Sequence, residues 1–96
     1  MDVQAPRQEG ADFDGARARF ESALDIVPDH ADALEGLVLA LERMGRMEDA
    51  IRANARYAEL HPSAAMARTN LSRLYMLKGW KERAEEEQAH ALLLNG

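Results

Sequence analysis

Residues 28–62 read PDHADALEGLVLALERMGRMEDAIRANARYAELHP, and this stretch decides the fold. Pro28 and Pro62 bound it, Gly45 breaks it near the middle, and Ala, Leu, Glu, Arg and Met fill most of the rest. Those are strong helix formers, and no run of β-branched or aromatic residues alternates with period two. The stretch therefore predicts two helices. One runs from Asp29 to Met44, with Asp29 and Asp32 offering an acidic first turn to the helix dipole. Gly45 then allows a left-handed turn, and a second helix runs from Met47 to Leu60 until His61-Pro62 stops it.

Working outward, the same grammar returns 34 residues later. Pro28 pairs with Pro62, Gly45 with Gly79, Leu37 with Leu71, and Ala50 with both Ala16 and Ala84 at that offset. Ile26, Leu60 and Leu94 form a further series. The second unit predicts a helix capped by Ser63 and running to Lys78, a turn at Gly79, and a helix from Trp80 to about Leu94. Upstream, Asp12 to about Val27 supplies only the second helix of a unit. The expected organisation is a loose arm over residues 1–10 and an all-α domain over 11–96. That domain divides into a half repeat (11–28) and two full repeats (29–62 and 63–96), giving about 2.5 repeats and five helices in an α-solenoid of helix-turn-helix units.

These residues resemble the tetratricopeptide repeat family, whose pattern runs W-x₂-L-G-x₂-Y…A-x₃-F…P. The middle unit places Leu34, Leu37, Val38, Leu41, Ala50, Asn54 and Pro62 at those positions. The last places Arg68, Leu71, Ser72, Tyr75, Ala84, Gln88 and Gly96 there, and the first half unit gives Ala16, Phe20 and Pro28. Asn54 stands where the pattern has Phe, and a ring at Tyr57 is expected to supply the missing aromatic volume from a neighbouring place. Ala16, Ala50 and Ala84 are expected where paired helices cross, because close approach tolerates nothing larger than a methyl.

The family resemblance implies that the leading helix of each pair lines a concave groove for an extended peptide or a partner's helix. The groove residues would be Asp32, Glu35, Leu39, Glu42, Met66, Thr69, Arg73 and Met76. On that reading Leu39 and Met76 are apolar contact points, Arg73 holds a carboxylate, and the three acids favour a basic partner segment. Of the pattern by which some members clamp a chaperone's terminal carboxylate, only Arg73 fits, so that ligand is not expected. The rival reading is self-assembly through uncovered ends, with Phe13, Phe20, Leu24 and Leu93 as contacts, which would make the chain a homo-oligomer.

Composition narrows the remaining classes. The net charge of −5 divides into −6 over residues 1–62 and +1 over 63–96, the opposite of the basic face a nucleic acid or an anionic membrane needs. The absence of cysteine excludes disulfides and thiolate chemistry. With no apolar leader and no long apolar run, the expected location is cytoplasmic.

Reactive constellations are lacking too. His30, His61 and His90 fall at three phases of the repeat and are not expected to converge on a metal. No nucleophile elbow, phosphate loop or paired-carboxylate motif is present, so no enzyme and no cofactor are expected. Glu82 with Glu85 to Glu87 reads as a solvated face, Glu48 with Arg52 and Arg56 as surface pairing at i,i+4 steps, and Trp80 as a turn-packing residue. The expected function is a non-catalytic protein–protein interaction module.

Overall fold

The computed structural model describes residues 12–95; the arm expected over residues 1–10 lies outside them. Five helices follow one another: α1 (Phe13–Ile26), α2 (Ala31–Arg43), α3 (Met47–Leu60), α4 (Ala65–Leu77) and α5 (Lys81–Asn95). There is no strand among the described residues. Among the described residues the backbone of each helix comes close only to its neighbours in the chain, which is the contact pattern of a linear stack.

The two glycine turns are built alike. Gly45 (φ +79°) and Gly79 (φ +82°) are left-handed, a conformation that a side chain disfavours. In the first turn the amide of Gly45 donates to the Glu42 carbonyl and that of Arg46 to the Leu41 carbonyl, at 3.0 and 2.9 Å. In the second, Gly79 donates to Met76 and Trp80 to Tyr75, at 2.9 and 2.8 Å. Both are Schellman caps, which return two orphan carbonyls of the helix end to hydrogen bonds. The second also carries the apolar contact typical of this cap: the Trp80 and Tyr75 rings lie 5.8 Å apart. Trp80 thus packs on its own turn, half exposed.

The helix starts differ from expectation. Asp12 caps α1 by accepting from the Gly15 amide at 3.0 Å. His30, not an aspartate, caps α2: its Nδ1 accepts from the Ala33 amide at 3.2 Å, and Asp29 lies outside the helix. Ser63 does not cap α4. That place belongs to Ala64, whose side chain has nothing to offer, because the chain leaves Pro62 through a turn closed by the Ala64 amide on the His61 carbonyl.

The core holds Leu24 of α1, Leu34, Leu37, Val38 and Leu41 of α2, Ala50, Ile51, Tyr57 and Ala58 of α3, and Ala67, Leu71 and Leu74 of α4. Ala50 and Ala84 are fully buried as expected, whereas Ala16 is only half-buried, since no described helix precedes α1.

Two successive helix interfaces solve the same packing problem differently. In α1–α2, the Phe20 ring fills the place where a side chain on Gly36 would stand; a Cβ there would come within 2.3 Å of it. One repeat on, Asn54 replaces Phe20 and Asn70 replaces Gly36. Asn54 is fully buried and its Nδ2 donates to the Ala67 carbonyl at 2.9 Å, leaving Oδ1 without a partner. Tyr57 is buried in the core, and its hydroxyl donates to Glu35 on α2 at 3.0 Å, which ties the α2–α3 hairpin.

Candidate functional site

Helices α2 and α4 are the leading members of the two complete hairpins. Short turns reverse the chain twice between them, so they run in the same direction, with α3 behind. No Cα of α2 comes within 8 Å of one in α4, and the gap is spanned by long side chains. At the spacing i, i+3, i+7, i+10, Asp32, Glu35, Leu39 and Glu42 line one side of α2, and Met66, Thr69, Arg73 and Met76 repeat that stripe on α4. Leu39, Met66 and Met76 are 49, 59 and 54% exposed, which is high for aliphatic and thioether side chains in a helical domain.

Two stripe residues meet. Arg73 Nη1 and Nη2 donate to Glu42 Oε2 and Oε1 at 2.5 and 3.0 Å, a two-pronged pair that ties α4 to α2. The hydrogen bond from Arg73 holds the Glu42 carboxyl below its ordinary range, against an opposing push from burial. The same bond raises the Arg73 guanidinium. Arg73 is therefore not the unoccupied carboxylate holder that the sequence suggested.

Residues 42 and 73 are 31 positions apart rather than 34, so the pair joins places about one turn out of repeat register, an offset that two long side chains can span. Asp32 and Glu35 make the acidic end of the face. Glu35 is held by the Tyr57 hydroxyl, whose pKa rises chiefly through burial, then through its bond to Glu35 and the charges of Glu35 and Asp32. Among the described residues no cation lies within 4 Å of either carboxylate.

Several other charges pair where the sequence did not indicate. Glu48 bonds Lys78 at 2.6 Å across 30 positions instead of pairing along its own helix, and Arg52 and Arg46 take Asp49. Arg56 reaches the Pro28 carbonyl. Glu87, from the acidic run on α5, bonds Arg68 on α4 at 3.1 Å. These links share no single spacing, from three positions for Asp49 to 19 for Arg68–Glu87 and 30 for Glu48–Lys78, so the repeat period alone does not reveal them.

The end contacts need correction. Leu24 is 6% exposed and lies in the core against α2, and Phe20 is engaged over Gly36; neither is available to a second copy. Phe13 is half-buried, with the Arg43 guanidinium 5.9 Å from its ring centre. Leu93 is 78% exposed and Leu92 and Leu94 flank it, also exposed. The repeat register assigns the faces of α5: the side matching Met47, Ile51, Asn54 and Ala58, on which α4 sits in the previous unit, reads Lys81, Glu85, Gln88 and Leu92. That side is polar except for one leucine, as in a capping helix.

Among the described residues no three His, Asp or Glu side chains gather as a metal site. His61 Nε2 donates to the Asp29 carbonyl at 2.6 Å, His30 caps its helix and His90 is exposed. No helix of the described residues is long and apolar enough to cross a membrane.

A family model described as tetratricopeptide repeat matches residues 7–65, which reach from before α1 to the start of α4. The chain belongs to the tetratricopeptide repeat family. The α4–α5 hairpin lies beyond the match, and the Schellman turn at Gly79 shows it to be a further unit of the same build. No curated protein matches the chain. Tetratricopeptide repeats are in general protein–protein interaction modules.

Proposed function

We propose that this chain is a non-catalytic interaction module that holds a peptide or helix of another protein against the face shared by α2 and α4. The observation that carries this reading is the exposure of Leu39, Met66 and Met76 on one face, beside carboxylates and over a gap that only side chains cross. Three apolar side chains left in water around such a gap are suited to grip a ligand's apolar residues, while the polar groups among them fix its register. The core lies behind α2 and α4, so this face can vary without disturbing the stack.

Selection of a random peptide library on the purified chain tests the reading. Selected peptides should perturb the amide resonances of α2 and α4. They should lose at least about tenfold in affinity in Leu39→Glu with Met76→Glu, while circular dichroism stays unchanged. Peptides that perturb only the outer side of α5 and ignore those substitutions would refute it.

Self-association remains a second reading on one observation, the exposed Leu92-Leu93-Leu94 segment at the end of α5. It would run through that segment and Phe13 rather than through Phe20 and Leu24. Sedimentation of Leu93→Glu against the parent chain decides it: a monomer in both removes the reading.

A further inference from the structure

The geometry points to a polarised groove that selects a segment carrying lysine or arginine at one end and leucine- or methionine-like residues at the other, and that turns away acidic segments. This rests on the α2/α4 face being the binding surface, and it specifies the chemistry of what binds there.

Three observations supply the polarity. Asp32 and Glu35 stand together at one end with no described cation within 4 Å, and Glu35 is fixed in place by the Tyr57 hydroxyl. A carboxylate held by a neutral donor keeps its full negative charge, so this end attracts a cation. Leu39 and Met76 are exposed farther along, where most of a ligand's apolar side chains would lie, and Met66 at the acidic end offers a surface to the aliphatic stem of a lysine or arginine. Between them the Glu42–Arg73 pair spans the gap and contributes almost no net charge.

That crosspiece acts as a filter. Arg73 is the only cation of the stripe, and both of its Nη atoms already donate to Glu42. An incoming carboxylate would have to take Arg73 and leave Glu42, whose side chain is only 18% exposed, without that partner. Glu42 would keep only the nearby charge of Arg43 and lose both hydrogen bonds from Arg73, so the exchange is disfavoured. An incoming lysine or arginine finds Asp32 and Glu35 at the acidic end and leaves the crosspiece intact. Acidic ligands lose twice, by repulsion at one end and by the occupied arginine in the middle.

The test uses three fluorescein-labelled synthetic peptides that share a leucine- and methionine-rich half and differ in the other half, which is lysine and arginine, glutamine, or glutamate. Fluorescence anisotropy should rank them basic, neutral, acidic, with the preference for the basic peptide shrinking as salt rises. Asp32→Asn with Glu35→Gln should weaken the basic peptide roughly fivefold and leave the neutral one unchanged. Glu42→Gln, which releases Arg73, should strengthen the acidic peptide. The inference is overturned if the acidic peptide binds the parent chain as well as the basic one does. It is also overturned if Asp32→Asn with Glu35→Gln leaves the basic peptide unaffected while Leu39→Ser with Met76→Ser abolishes binding of all three. In that second case the groove stands and only its charge preference falls. If the Leu39 and Met76 changes affect no peptide, the groove itself is refuted.

Discussion

Phe20 and Gly36 are a matched pair: the ring of one occupies the volume that a side chain on the other would need. Gly36 lies inside α2, where glycine costs about 1 kcal/mol relative to alanine, so its presence there answers to the ring rather than to the helix. Gly36→Ala should lower stability by about 1–3 kcal/mol less the propensity gain. With Phe20→Ala in place, the same change should become stabilising by up to about 1 kcal/mol. Urea denaturation of the four proteins in this cycle checks the reversal of sign, and equal effects in both backgrounds would break the pairing.

The next interface should accept the first one's solution only as a set. Asn54→Phe alone drives a ring toward Asn70 and removes the bond to the Ala67 carbonyl. It should cost about 2–4 kcal/mol through overpacking and an orphaned carbonyl. Asn54→Phe with Asn70→Gly rebuilds the Phe20–Gly36 arrangement and should recover most of that loss in thermal melts.

Ala50 sits where α2 and α3 cross and is wholly buried, whereas Ala53, one turn on, is half-buried. Ala50→Leu should depress the melting temperature by many degrees, and Ala53→Leu should do so far less. Melting curves with matching midpoints would mean that the crossing point is misplaced.

The Glu42–Arg73 pair gives stability a dependence on pH. The folded carboxyl lies below its unfolded value, so the contribution is full above the ordinary carboxylate range and is lost as pH falls through the lower folded value. Glu42→Gln should therefore be less stable than the parent near neutrality, by up to about 1 kcal/mol given the half-exposed arginine. The gap should close in acid below the ordinary carboxylate range. Paired denaturation curves across that interval measure it, and a gap that widens in acid contradicts the assigned sign.

The helices, their order and both glycine turns could be read from the chain, because a 34-residue period constrains many positions at once. Identical Schellman hydrogen bonds at Gly45 and Gly79 are that period seen in three dimensions. The caps were harder. His30 takes a role usually filled by Asp or Ser, and whether Ser63 or Ala64 begins α4 depends on how the chain leaves Pro62. The stripe on α2 and α4 was legible as a set of exposed positions, but not the link between Glu42 and Arg73. Repeat phase says which residues are equivalent, and the reach of long side chains such as Arg73 decides which ones touch. Tyr57 shows the same limit: three positions from Asn54 on one helix, its hydroxyl bonds the helix before while Asn54 bonds the helix after.

Because the backbone of every described helix approaches only its sequence neighbours, with Glu42–Arg73 reaching past one of them, most tertiary contacts are short-range along the sequence. A molecule wired that way folds quickly and opens piecemeal rather than all at once. The two end helices, which bury only Leu24 in α1 and Ala84 and Ala91 in α5, should open ahead of the three between them. Amide hydrogen exchange would then report protection that falls away toward both ends, with a ligand gripping α2 and α4 slowing the middle and leaving α1 and the end of α5 as loose as before.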